Sequence, residues 1–287
     1  MMTGEEYLQV AGLTFVKLNS VQEVLDYISS SPFKEIQSST FELLSHNSKE
    51  DRLLNAYCHY CDEESEVIYK SMPDYSAREG FICAKCQLNA RLRMMSHLIK
   101  KYAKDGANIY MHEQVTGFYH RMQDVLPNCH FVGSEYFGDD KKSGEVYDGL
   151  RHEDVTNLSF EDETFDIIVS QDVFEHVLGD GGAAFKECYR VLKKNGVLLF
   201  TIPFHYGNET TVERAKLENG NITMLQPPVY HGNPVSEEGA LVVNDFGWDI
   251  TKVIHEAGFT DYGAYFYYGK DYGYMGIPNN LWIIKKT

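Results

Sequence analysis

Residues 158–204 read LSFEDETFDIIVSQDVFEHVLGDGGAAFKECYRVLKKNGVLLFTIPF. Two apolar runs, 165–170 and 197–202, have the length of buried strands, and the stretch between them changes period. Over 181–194, Phe185, Cys188, Tyr189 and Leu192 fall on one helical face, where Cys188 reads as a small buried apolar residue. Strand, helix and strand in succession predict a parallel sheet covered by helices.

The alternation extends in both directions. Upstream lie a helix over 88–104 with Leu88, Leu92, Met95, Ile99 and Tyr102 along one stripe, ended by Asp105-Gly106, and strands over 108–112 and 130–134. Downstream come a helix over 248–257 and strands near 263–268 and 281–285. The stretch 205–247 breaks the pattern with prolines, glycines and few periodic apolar residues; it is too long for an ordinary connection and reads as a lid or substrate-binding insertion. In residues 1–50, an apolar run Leu13–Leu18 is followed by Ser20 and Glu23 at capping-box spacing, and then by Val21, Val24, Leu25 and Ile28 at helical spacing. This segment reads as a small α/β cap. The expected division is therefore an N-terminal cap over 1–104 and a catalytic α/β domain over 105–287.

Four of the six cysteines are grouped as Cys58-His-Tyr-Cys61 and Cys83-Ala-Lys-Cys86, with 21 residues between the pairs. Two thiolates on one tight turn bind an ion together, and two such turns complete the tetrahedron that Zn²⁺ takes. A redox dithiol is the competing reading, but it requires only one such pair. Four protein ligands leave no open position, so the expected Zn²⁺ is structural. His59 reads as a spare residue inside its turn, and Cys129 receives no role.

At the ends of the strands, where open α/β sheets bind ligands, stand acids. Glu113 follows the first strand, Glu135 follows the second 22 residues later, and Asp154 precedes the turn into the third. A carboxylate at such a place accepts the hydroxyls of a ribose. The turn after Glu113, Glu113-Gln-Val-Thr-Gly117-Phe-Tyr119, has a single glycine, whereas a loop that cradles phosphates needs several. That disfavours a nicotinamide-binding oxidoreductase.

The run 158–204, with its Leu-Ser-Phe turn, Phe-Asp strand, Glu175-His-Val and Arg-Val-Leu-Lys-Lys-Asn-Gly before a strand, resembles the middle of class I S-adenosylmethionine-dependent methyltransferases. The resemblance covers about residues 106–204, and NDFGWDITKVIHEAGF, 244–259, looks like the family's later helix. It implies a Rossmann-like seven-stranded sheet with an N-terminal zinc-binding cap. It places cofactor contacts at Glu113, Gly117, Glu135 (the ribose carboxylate), Tyr136, Asp154, Val155 (both at the adenine), Gln171 and Asp172. The family's glycine-rich Glu/Asp-x-Gly-x-Gly-x-Gly is here EQVTGFY, with Val115 and Tyr119 where glycine is usual. S-adenosylmethionine carries no phosphate, so a densely glycine-lined nest is less necessary for it. Cysteine turns ahead of such a domain resemble a bacterial subgroup found among glycan and natural-product methyltransferases, and the chain length and the Tyr-His-Gly insertion resemble the O-antigen perosamine O-methyltransferases, which act in lipopolysaccharide synthesis.

Methyl transfer to an alcohol requires loss of a proton, and a carboxylate acceptor requires none. Candidate bases are His231, in the insertion, His205, close behind strand 197–202, and His176, after strand 165–170. His112 lies at the same edge of the sheet. Asp172 and His176 offer two ligands for a divalent ion, with no third in view. Tyr206, Tyr230 and the aromatic run 262–276 could line a sugar pocket, although aromatics in a terminal strand also serve as core. The expectation is an O-methyltransferase acting on a sugar hydroxyl of a bacterial glycan or its nucleotide-linked precursor. The alternatives are a small natural product or peptide carboxylate as acceptor, or a non-catalytic zinc-bearing interaction protein.

With 26 basic and 42 acidic residues the formal charge is −16, which repels nucleic acid. No secretory pattern or membrane-length apolar run is present, so a cytoplasmic location without a transmembrane segment is expected, with self-association left open.

Overall fold

In the computed structural model, residues 11–45, 52–70, 77–179, 181–233 and 235–287 are described. Phe165–Gln171 forms a strand buried along most of its length, which is why it lacks polar alternation. It pairs in parallel with Leu192–Thr201 on one side, Ile167 opposite Val197, and with Asn108–Met111 on the other, Ile109 opposite Ile167. Asn108–Met111 pairs in parallel with His130–Gly133. The full sheet has seven strands, in the order Thr14–Leu18, Asp261–Gly269, Tyr274–Lys285, Leu192–Thr201, Phe165–Gln171, Asn108–Met111, His130–Gly133. The seventh strand, Thr14–Leu18, comes from the segment expected to belong wholly to the cap; it runs antiparallel to residues 264–268.

One boundary differs from the sequence expectation. The helix expected over 181–194 ends at Val191, and the next strand begins at Leu192. Asn195 adopts φ 65°, and a Cβ on Gly196 would stand 2.8 Å from the Lys193 carbonyl oxygen. Lys-Lys-Asn-Gly is therefore an irregularity inside the strand, where the register shifts between Leu192 and Val197.

The chain clusters into two compact units, one of residues up to Lys101 with Ala264–Leu281, the other of Tyr102–Gly263 with Trp282–Thr287. In the first, Arg52–Cys58, Glu63–Tyr69 and Phe81–Cys83 make a three-stranded antiparallel ribbon. Ser20 caps the helix Val21–Ser29 by accepting from Glu23 N–H at 3.2 Å, and the Glu23 carboxylate accepts from Asn19 N–H at 2.8 Å. A second helix, Ser31–Ser45, had no sequence signal because its buried positions, Phe33, Ile36 and Thr40, are sparse and mixed with serines. Arg93, fully buried in the helix Ala90–Tyr102, donates to the carbonyls of Tyr272 at 2.6 Å and Gly273 at 2.9 Å. Tyr265, Tyr267, Tyr272 and Tyr274 are buried, so this part of the terminal aromatic run is core.

In the second unit, the insertion 205–247 folds as short antiparallel pairs: Val212–Glu213 with Asn244–Asp245, Ala215–Glu218 with Asn221–Met224, and Tyr230–Asn233 with Ser236–Leu241. Its strands have little burial, and Leu217, Ile222, Met224 and Tyr230 are exposed, so no core-facing alternation marks them in the sequence. Among the described residues no helix is long and apolar enough to cross a membrane.

Candidate active site

The C-terminal ends of three adjacent parallel strands carry Glu113, Glu135 and Gln171, and hydrogen bonds draw them together. The turn after Asn108–Met111 is short because Thr116 already caps a helix, Gly117–Val125, accepting from Tyr119 N–H at 3.1 Å. The Glu113 carboxylate braces this turn: Oε2 accepts from Thr116 Oγ1 at 2.5 Å and Oε1 from Gln171 Nε2 at 2.6 Å. Glu135 Oε1 accepts from the backbone N–H groups of Gln114 at 2.7 Å and Val115 at 2.9 Å. Both bonds fall on one oxygen of this buried residue.

Tyr119, expected within the turn after Glu113, lies in the helix with its ring buried. It fits because the residue beneath it is Gly133. A Cβ there would approach the ring to 2.8 Å and the Glu113 carbonyl oxygen to 2.5 Å. The glycine missing from the turn is thus replaced by one at the end of the neighbouring strand, a compensation that spacing alone does not reveal.

Segment 151–154 runs beside Glu135: Glu135 N–H donates to Arg151 O at 2.9 Å and Glu153 N–H to Glu135 O at 3.1 Å. Gln114 Oε1 accepts from Arg151 N–H at 3.0 Å, tying the segment to the cofactor turn. Asp154 Oδ1 accepts from Thr156 N–H at 2.8 Å and Thr156 Oγ1 at 2.7 Å, which fixes this turn. Val155 is half-buried. Tyr136 is exposed, donates its hydroxyl to Asp139, and stands 5.5 Å from the His152 ring. Gly117 is exposed with open space at its Cα, and Asp172, at φ 54°, donates its N–H to Thr201 O at 2.9 Å. These residues fit an adenosyl group: two carboxylates, Glu135 and Asp154, hang from hydrogen-bonded turns at the ends of the strands.

Of the histidines, His176 and His231 meet around Glu175, whose importance the sequence reading missed. Glu175 is fully buried; its Oε1 stands 3.7 Å from His176 Nε2 and 3.4 Å from His231 Nδ1. His205 is outside this group, half-exposed, with Nε2 3.8 Å from Asp245 Oδ1, while Asp245 Oδ2 also accepts from Arg214 at 2.6 Å. His112 is buried, with Nδ1 3.1 Å from Ser170 Oγ, and burial lowers its pKa to about 3. It is a structural histidine.

In the first unit the four cysteines converge. Cys58 and Cys86 sulfurs are 3.8 Å apart, Cys61 and Cys83 sulfurs 4.0 Å, and all four lie within 4.8 Å of one another. A disulfide has about 2.05 Å between sulfurs. Four thiolates at about 2.3 Å from a tetrahedral ion stand about 3.8 Å apart. The two turns are built alike: Asp62 N–H donates to Cys58 O and Gln87 N–H to Cys83 O, both at 2.8 Å, with Asp62 and Gln87 at φ 62° and 60°. The His59 ring stacks on those of His97 and Tyr272, at 3.9 and 4.6 Å, and its Nδ1 meets Tyr274 Oη at 2.7 Å.

Residues 133–200, the span from the cofactor-side glycine through the third and fourth parallel strands, match the family model described as Methyltransferase domain. The chain carries a methyltransferase domain. The methyltransferase uses S-adenosylmethionine as its methyl donor. No curated protein sequence matches it. Solved structures similar to it include an S-adenosylmethionine-dependent methyltransferase from Mesorhizobium loti, 12% identical over 66% of this chain and 96% of that one, with a TM-score of 0.38. Another is a SAM-dependent methyltransferase from Methanosarcina mazei, 13% identical over 66% of this chain and 96% of that one, with a TM-score of 0.35.

Proposed function

We propose that this methyltransferase transfers the methyl group to a hydroxyl of a sugar, in a bacterial glycan of the O-antigen type or its nucleotide-linked precursor. The observation that carries the hydroxyl is the packing of Glu175, His176 and His231 in one cluster, two of them in the turn after the third parallel strand. An alcohol must shed its proton as its oxygen attacks the methyl carbon, and a cluster of imidazoles around a carboxylate serves that need; a carboxylate acceptor would leave it without a task. The sugar is supported by Tyr230, exposed beside His231, by the half-buried Tyr206, and by the sequence resemblance to perosamine O-methyltransferases. The chain's own part in the transfer is alignment. Glu135 and Asp154 hold the adenosyl group, Glu113 and Gln171 fix the turn beneath it, and the histidine cluster meets the acceptor. The four cysteines we assign to one structural Zn²⁺, with no position open for chemistry.

With methyl-labelled S-adenosylmethionine and a panel of nucleotide sugars and glycans, the expected product is an O-methylated sugar. His231→Ala should lower turnover at least about 100-fold while binding of S-adenosylhomocysteine persists. Transfer to carboxylate acceptors alone, or unchanged turnover in the variant, would sink the reading.

A further inference from the structure

Glu175 presents an unusual problem of charge. Its side chain has no exposed surface, and neither Oε1 nor Oε2 has a hydrogen-bond partner. A bare carboxylate in that position is strongly disfavoured unless a cation balances it. The two imidazoles nearby do not supply that balance by hydrogen bonding. The separations from Oε1, 3.7 Å to His176 Nε2 and 3.4 Å to His231 Nδ1, exceed the roughly 2.7–2.9 Å of a charge-assisted bond. They match a different arrangement: ligand atoms about 2.0–2.2 Å from a shared tetrahedral ion stand about 3.3–3.6 Å from one another.

The orientation of His176 points the same way. Its Nδ1 lies 2.8 Å from the Leu241 carbonyl oxygen and must therefore carry a proton and donate it. In the neutral ring Nε2 is then a lone pair facing the carboxylate; two acceptors face one another across a shared proton or a metal ion, and 3.7 Å is too long for a shared proton. An imidazole whose far nitrogen donates to a backbone carbonyl is also how proteins orient a metal-ligating histidine. The hairpin that brings His231 is fixed on this turn, since Val243 N–H donates to Glu175 O at 2.8 Å and His231 pairs with Ala240 across the hairpin.

We propose that Glu175, His176 and His231 bind one divalent transition cation of the Zn²⁺ or Mn²⁺ class, in a site separate from the four cysteines. Two imidazole nitrogens and one carboxylate oxygen suit these ions better than Mg²⁺ or Ca²⁺, and three protein ligands leave a position for an exogenous oxygen. The binding of the ion stands independently of the acceptor proposed above; only its use rests on that reading. A hydroxyl coordinated there would become acidic and release its proton to solvent as its oxygen takes the methyl group, so the cluster would favour the alkoxide by charge rather than by taking up the proton. The pair Asp172 and His176 considered from sequence is thus replaced by Glu175, His176 and His231.

The test is titration of the full chain, purified with its cysteine-bound zinc, with Mn²⁺ and separately with Zn²⁺, followed by equilibrium dialysis and metal analysis. Mn²⁺ favours oxygen and nitrogen ligands and leaves the thiolates alone. One Mn²⁺ or one additional Zn²⁺ per chain is expected. Glu175→Gln, and His231→Gln on the half-exposed hairpin should Glu175→Gln fail to fold, should weaken that binding more than about 100-fold, beyond the usual effect of losing only an outer partner. The cysteine-bound zinc and binding of S-adenosylhomocysteine should be unchanged. No uptake of either ion by the wild-type chain, or equal uptake by the variants, would overturn the proposal. Failure of methyl transfer to hydroxyls with the ion bound would instead overturn the acceptor reading and leave the site standing.

Discussion

At the scale of single residues, the site depends on contacts that have little tolerance. Gly133 is the clearest. A Cβ there meets a backbone oxygen at 2.5 Å as well as the Tyr119 ring, so Gly133→Ala should destabilise the fold by about 1–3 kcal/mol and weaken cofactor binding. Tyr119→Leu should not rescue it, because the Glu113 carbonyl remains; full rescue in calorimetry of the double variant would show that the ring is the sole obstacle. His112 sets a pH dependence. Burial lowers its folded pKa to about 3, against about 6.5 in the unfolded chain, so the unfolded state binds its proton first. The stabilising effect of a neutral His112 is complete above pH 6.5 and is lost as pH falls from there towards 3. Between pH 7 and pH 5 that is about 2 kcal/mol from this residue. In urea unfolding at the two pH values, His112→Gln should shrink the wild-type difference by that amount, and an unshrunken difference would refute the assignment.

At the scale of elements, what the sequence showed and what it hid follow from burial. The parallel strands 108–111 and 165–171 were legible because strands covered on both faces are continuous apolar runs. The cysteine turns were legible because ligation demands a residue type at a fixed spacing, and the structure brings all four sulfurs together. The helix Ser31–Ser45 and the exposed hairpins of 212–241 were not, since neither buries a periodic face. Glu175 was overlooked for another reason: beside two histidine candidates its role depends on being buried without a partner, which no sequence pattern expresses. Arg93 was likewise invisible, being a cation on the inward face of a helix. Its guanidinium holds the carbonyls of Tyr272 and Gly273, so Arg93→Ala should destabilise the first unit by about 3 kcal/mol, measured by thermal unfolding. For the cysteine turns, Cys58→Ser should reduce bound zinc from about one ion per chain to well below one and lower the unfolding temperature. Full zinc content in the variant would contradict a four-thiolate site.

At the scale of the whole molecule, sequence and structure agree on the class of catalyst. A mostly parallel sheet places its acids at the ends of neighbouring strands, and the span 133–200 matches a methyltransferase domain. The turn that first looked deficient in glycine is rigid because Glu113, Thr116 and Gln171 brace it and Glu135 holds its backbone. S-adenosylmethionine asks for hydroxyl and amino recognition rather than a phosphate nest, and such a turn is suited to that. The most direct test is isothermal titration of the purified chain with S-adenosylhomocysteine and, in parallel, with NAD. One S-adenosylhomocysteine per chain should bind, NAD should not, and Glu135→Ala should weaken the first by at least about tenfold through loss of a charged hydrogen bond. Binding of NAD without S-adenosylhomocysteine, or an affinity indifferent to Glu135, would contradict the account.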